Sequence, residues 1–139
     1  GCGWLRLVIV QFRGLPAVRG FVPRPVVDVV ATHETSAHLL ALCDTGALHN
    51  RFAAWVADDI GIDLTGIEPE AIGLGGQHLL ARTATVALRI GEMEWEAPVS
   101  FCEPWPWSYQ LLGQEGFSRW FEVIVRAADR ELELTLIAQ

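Results

Sequence analysis

The sequence contains no lysine: its ten basic residues are all arginine, set against 17 acidic ones, for a formal net charge of -7. Holding a phosphate backbone takes clustered cations, and ten scattered arginines do not supply them, so the composition argues against a nucleic-acid partner. Cysteine is scarce too. Cys2, Cys43 and Cys102 make an odd number with no Cys-x-x-Cys spacing, which favours neither a disulfide framework nor a zinc site. The four histidines, His33, His38, His49 and His78, lack metal-ligand spacing and read as surface or turn residues. No apolar run approaches the roughly 20 residues that cross a bilayer. The longest candidate, residues 5–12, is interrupted by Arg6 and Gln11 and reads as a strand, so no membrane insertion is expected within this chain. No complete signal peptide is visible; the chain opens on Gly1 rather than Met, which reads as trimming or processing. The compartment stays open between the cytoplasm and a longer, tethered precursor.

What is present is apolar. Hydrophobic residues are 51% of the 139, enough for one domain with a real core and too few in number for two full-sized ones. The punctuation is that of a β protein with little helix. Val26 to Thr32 is a β-branched run after Pro25, and His38 to Cys43 follows across the polar turn Glu34-Thr35-Ser36. Asn50 is expected to cap a short helix over Arg51 to Asp59, because Phe52, Trp55, Val56 and Ile60 recur at helical spacing before Gly61. Leu80 to Ile90 alternates as a long strand with one wet face. Trp95 to Phe101 is another strand, Pro104-Trp105-Pro106-Trp107 a stiff aromatic loop, and Gln114 to Trp120 one or two helical turns. Phe121 to Arg126 and Glu131 to Ile137 flank a hairpin turn. The sum is one compact domain of about eight strands.

Three segments carry chemistry. Asp44-Thr45-Gly46 occurs once and follows the apolar run Leu39 to Leu42, which delivers a carboxylate from an interior strand into a turn. Thr45 offers a hydroxyl there, and Gly46 permits a backbone geometry in which two such loops approach closely. Gly73-Leu74-Gly75-Gly76 stands between two extended segments, as a hinged hairpin tip requires. By itself it reads more readily as a plain hairpin turn, and no helix with Lys or Ser/Thr follows it to hold a phosphate. The third is Leu111-Leu112-Gly113, a short apolar strand ending in glycine.

In this order, with Arg24-Pro25-Val26-Val27 leading in and Ala47 closing the turn, the segments resemble the retropepsin family of homodimeric aspartic proteases. The stretch Leu112-Gly113-Gln114-Glu115-Gly116-Phe117, followed by Phe121-Glu122-Val123, looks most like its bacterial members. The resemblance covers about residues 24 to 137 and implies a single-domain, retropepsin-like closed β-barrel with one or two short helices, paired as a two-fold dimer. Residues 1–23 lie outside it, as an N-terminal extension or an added strand, and residues 24–139 form the protease domain. It implies Asp44, Thr45 and Gly46 as catalytic, the first supplying one of two carboxylates at the dimer axis. Two such groups cannot both ionise cheaply, so they share a proton and act as base and acid on a water and a peptide carbonyl. Thr45 would brace the loops across the interface, and no metal or organic cofactor would be required. Ala47, Leu48, Gly73, Leu74, Gly75, Gly76, Trp105, Trp107, Tyr109 and Leu111 would bind an extended peptide or protein substrate, with Leu74 on a closing flap and the tryptophans as pocket wall or as core. Leu132 to Ile137 would join an interface sheet between the chains.

The sequence also departs from the pattern. Leu48 and His49 stand where retroviral members carry acidic residues, leaving Arg24 without its expected partner, and Gln114 replaces an arginine after Gly113. Two other readings therefore accompany the endopeptidase: a retropepsin-like dimerisation or peptide-binding domain with little hydrolysis, and a monomeric β-barrel for a small ligand.

Overall fold

The structure, a computed structural model, describes residues 6–17 and 20–137. In chain order the strands are β1 (Leu7–Gln11), β2 (Arg13–Ala17), β3 (Gly20–Arg24), β4 (Val26–Thr32), β5 (Ser36–Cys43) and β6 (Asn50–Ala53). A short helix α1 (Ala54–Ile60) follows, then β7 (Glu70–Leu74), β8 (Gln77–Ile90), β9 (Met93–Glu103) and β10 (Gln110–Leu112). A π-helical turn, Gln114–Ser118, leads to β11 (Phe121–Arg126) and β12 (Glu131–Leu136).

Six strands close a barrel. β4, β5, β10, β6, β9 and β8 hydrogen-bond in that order, and β8 returns to β4 by pairing Arg89, Leu88 and Ala87 with Val30, Ala31 and Thr32. Closure removes the open edges that a sheet of this size would otherwise expose. The period-two alternation read in the sequence fills it: Leu39, Ala41 and Cys43 of β5 are buried, as are Val27, Val29 and Ala31 of β4. Phe52, Phe101, Phe117 and Phe121 are among the largest fully buried side chains, and each contributes about 1.5–3 kcal/mol through burial. Trp95 wedges against Phe117 and Phe121 with ring centroids 5.9 and 4.8 Å away, and its Nε1 donates to the Gly116 carbonyl at 2.8 Å.

Two smaller sheets flank the barrel. β1 and β11 each run antiparallel to β12, so that β12 is central. Of the segment Leu132 to Ile137, expected to join an interface sheet, Leu132 to Thr135 pair on both sides within their own chain, and the outer strands of this sheet among the described residues are β1 and β11. Hairpin β2–β3 is tied to β4 by an Arg13–Asp28 ion pair, which holds the Asp28 carboxyl below its usual range. Arg24, at the end of β3, is exposed and has no ion-pair partner among the described residues.

The helix expectation needs correction. Residues 50–53 are strand, parallel to β9 and antiparallel to β10, and α1 begins only at Ala54. Phe52 is drawn into the core, edge-on to Phe101 at 6.3 Å, and Asn50 spends its side chain on distant backbone rather than on a cap. Trp55, read as part of the apolar face, is half exposed, while Val56, Ala57 and Ile60 are buried. Gly61 does end the helix, at φ 82°. Twelve strands among the described residues replace the roughly eight expected, and β2, β3 and the short β6 are three of the additions.

Candidate active site

Asp44 stands where two interior strands end together. β5 and β10 run parallel, pairing Leu42 with Leu111 and Cys43 with Leu112, and the Asp44 amide continues the ladder by donating to the Leu112 carbonyl at 2.9 Å. The chain then turns at once: Gly46 N–H donates to Asp44 Oδ1 at 3.0 Å and Ala47 N–H to the Asp44 carbonyl at 3.1 Å. An aspartate that bonds its own backbone two residues on stabilises such a turn.

The segment after β10 clasps this turn from below. Gln114 N–H donates to the Ala47 carbonyl and Glu115 N–H to the Leu48 carbonyl, each at 2.8 Å, and Gln114 Nε2 donates to the Thr45 carbonyl at 2.8 Å. Gln114, where the resemblance places an arginine, therefore supports the turn as a neutral donor. Gly113 is required by close approach: a Cβ there would collide with the backbone carbonyls of His49 and Ala47. Asn50, fully buried, accepts from Gly113 N–H and donates to the Gly116 carbonyl, both at 3.0 Å. Gln110, also buried, accepts the Ala53 N–H at 2.7 Å. Sequence reasoning missed these two supports: Asn50 stands between His49 and Arg51 with no local signal of burial, and the signal at Gln110 was an amide heading the apolar Leu111-Leu112.

Above Asp44 lies the glycine hairpin. β7 and β8 pair from Glu70–Ala81 to Leu74–Gln77, and the turn is Gly75–Gly76, at φ 56° and 77°. Positive φ at both positions is what a tight two-residue turn between right-twisted strands demands. A Cβ on Gly75 would stand 2.9 Å from Trp107 Cζ2, so the tip rests against the aromatic loop. Trp105 and Trp107 meet edge to face at 4.9 Å, and Trp105 Nε1 donates to the Tyr109 carbonyl at 3.1 Å.

Leu42, Asp44, Leu74, Gly75, Trp107, Tyr109 and Leu111 together line a cleft of about 290 Å³. Six of the residues singled out in the sequence thus converge on one space, one of them a carboxylate and the rest largely apolar. Trp105 packs behind this wall on a small second core of Leu79, Ala81 and Cys102. Thr45, Gly46 and Leu48 are exposed on the turn, with Ala47 half-buried beside them, and Gly73 and Gly76 have open space at the hairpin; none of these six lines the cleft. The Thr45 hydroxyl has no partner among the described residues. Burial pushes the Cys43 thiol, next to Asp44, up to about 12, and burial likewise raises Cys102 to about 11 against an opposing pull from the Arg51 guanidinium beside it. Among the described residues, no three His, Cys, Asp or Glu side chains come together to hold a metal ion, and no helix is long and apolar enough to cross a membrane.

No family model and no curated protein matches the sequence. Solved structures do match the fold. A retropepsin-like aspartic protease from Rickettsia conorii superposes with a TM-score of 0.60 at 19% identity, covering 96% of this chain and 93% of that one. The retroviral protease-like domain of Ddi1 from Leishmania major gives a TM-score of 0.55 at 12% identity, covering 82% of this chain and 95% of that one. The closed barrel, the aspartate turn between β5 and β10, and the glycine hairpin above it are therefore elements of a retropepsin-like fold.

Proposed function

We propose that the protein is an aspartic endopeptidase whose active site is shared between two copies of the chain. The observation that carries this reading is the cleft in which Asp44 faces Leu74 and Gly75 of the hairpin and Trp107 of the aromatic loop. One chain supplies one carboxylate at the end of a rigid strand pair, and the chemistry needs two. With a second Asp44 opposite the first, mutual repulsion keeps one proton between them. The ionised carboxylate takes a proton from a water as its oxygen bonds to the scissile carbonyl carbon, and the protonated one delivers its proton to the carbonyl oxygen. Thr45, exposed and with a free hydroxyl, is available to brace the partner loop. The β7–β8 hairpin acts as the flap, with Leu74 laid on an extended peptide whose apolar or aromatic side chains fit beside Trp107 and Tyr109.

Asp44→Asn tests this. Cleavage of a peptide library between mildly acidic and neutral pH should fall by at least about 10²–10⁴-fold, the share that general acid–base groups supply, and a statine-type inhibitor should block the parent. Equal cleavage by both proteins would remove Asp44 from the chemistry. A second reading, a peptide-binding or dimerisation domain with little hydrolysis, is favoured by exposed Leu48 and His49 in place of acidic residues that would grip the peptide backbone. It predicts that parent and Asp44→Asn bind peptides equally well and that neither cleaves them.

A further inference from the structure

The face that forms the cleft continues beyond it. Direct cross-strand partners project their side chains from the same face of a sheet, and the register runs Leu42, Leu111, Arg51, Ser100, Thr83 across β5, β10, β6, β9 and β8. Leu42 and Leu111 line the cleft, and Arg51 stands one strand further on, about 4.8 Å away in the hydrogen-bonding direction. From the other side, the Arg51 guanidinium lies beside Cys102. Cys102 packs with Leu79 and Ala81 against Leu74 and Trp107, which are themselves cleft residues. Arg51 is therefore bounded by the cleft wall on two sides.

Its charge is uncompensated. Arg82 and Arg126 are half-buried like Arg51, but Arg82 pairs with Glu103, and Arg126 with Glu131 and Glu133. Arg89 donates to the Gly91 carbonyl. Arg51 has no carboxylate partner among the described residues, and its neighbours along the row, Ser100 and Thr83, are neutral hydroxyls bonded to each other at 3.1 Å. A cation drawn partly out of water without a counter-ion forfeits hydration that nothing repays. The planar guanidinium fork is also the side chain best shaped to take a carboxylate through two parallel hydrogen bonds.

We propose that Arg51 is a specificity-determining residue that seats an Asp or Glu side chain of the bound peptide within about three residues of the scissile bond. This rests on the endopeptidase reading for the position of that bond, and on the cleft alone for the binding. Apolar wall and cation together then define the ligand: an extended peptide carrying a bulky apolar residue with an acidic one close by.

The experiment uses pairs of peptides that differ only by Glu or Gln at each position flanking an apolar pair. Hydrolysis is followed with the parent, Arg51→Met and Arg51→Lys, and binding with the same three proteins carrying Asp44→Asn. The parent should prefer Glu over Gln by about tenfold at one position, as a charge-assisted contact implies. That ratio should fall to near one in Arg51→Met and stay above one in Arg51→Lys. Because it is internal to each protein, a general loss of activity does not alter it. Cleavage with no Glu preference at any position, or a preference unchanged in Arg51→Met, would overturn the role of Arg51 and leave the endopeptidase standing. Glu-selective, Arg51-dependent binding without cleavage would do the reverse, and absence of both binding and cleavage would overturn both.

Discussion

Asn50 and the two buried cysteines show how much of the site rests on side chains that do not line the cleft. Asn50 joins β6 to the segment after β10 through Gly113 N–H and the Gly116 carbonyl, and these bonds place Gly113 beneath the Asp44 turn. Asn50→Leu keeps the volume and removes both partners, so each backbone group left unpaired in the interior should cost about 1–3 kcal/mol. A urea midpoint equal to the parent's would show that water or a shift of the segment replaces Asn50. Cys43 and Cys102 carry a prediction about pH. Burial pushes them up to about 12 and about 11 in the folded chain, above the ordinary thiol value of 9.0. The folded chain therefore keeps protons that the unfolded chain releases, and stability that is complete below pH 9 is lost as pH rises toward 11. The slope approaches about 1.4 kcal/mol per pH unit for each thiol. Cys43→Ala should flatten that decline in alkaline denaturation, and iodoacetamide at pH 8 should leave both residues unmodified until urea unfolds the chain. Rapid labelling of either in the folded protein would contradict their burial.

At the scale of elements, the glycine hairpin and the aromatic loop act as one unit, because Gly75 has no side chain to separate its backbone from Trp107. Gly75→Ala places a Cβ 2.9 Å from the ring at a backbone φ of 56°, a conformation that costs a non-glycine residue about 1–2 kcal/mol. The expected result is a displaced Trp107, read as a change in tryptophan fluorescence, with a fall in peptide binding; an unchanged spectrum would place the hairpin tip away from the ring. This hairpin was legible in the sequence because its signals are local: alternation along Leu80 to Ile90 and glycines at the turn. The Asp44 turn was legible for the same reason, an apolar run stopped by Asp-Thr-Gly. β6 was not, since Phe52, Val56 and Ile60 do recur at helical spacing, while the bonds that make residues 50–53 a strand come from β9 and β10, far along the chain. Hairpin β2–β3 carries Pro16 and Pro23, which lack the N–H that a ladder uses, so its strands give little local signal. Arg51 was unreadable as a neighbour of the cleft, because its place follows only from register.

At the scale of the molecule, the count of one Asp-Thr-Gly per chain becomes a statement about assembly that can be tested without knowing the contact surface. Among the described residues, β12 is enclosed by β1 and β11 of its own chain. A strand that extended this sheet would pair with β1 or β11, its outer strands among the described residues, and β1 carries Leu7 and Ile9, each about half exposed. If two chains share one site, mixing parent with Asp44→Asn must produce hybrids holding a single competent carboxylate. With random exchange, a fixed amount of parent mixed with an equal amount of Asp44→Asn retains about half of its own-type pairs. Activity should therefore fall to about half, and further as more Asp44→Asn is added, once subunits have exchanged. Dilution of the parent should lower activity faster than in proportion to concentration as 15.3 kDa chains separate. Activity that ignores added Asp44→Asn and scales linearly on dilution would mean that each chain works alone, and a lone carboxylate would then have to serve as both acid and base.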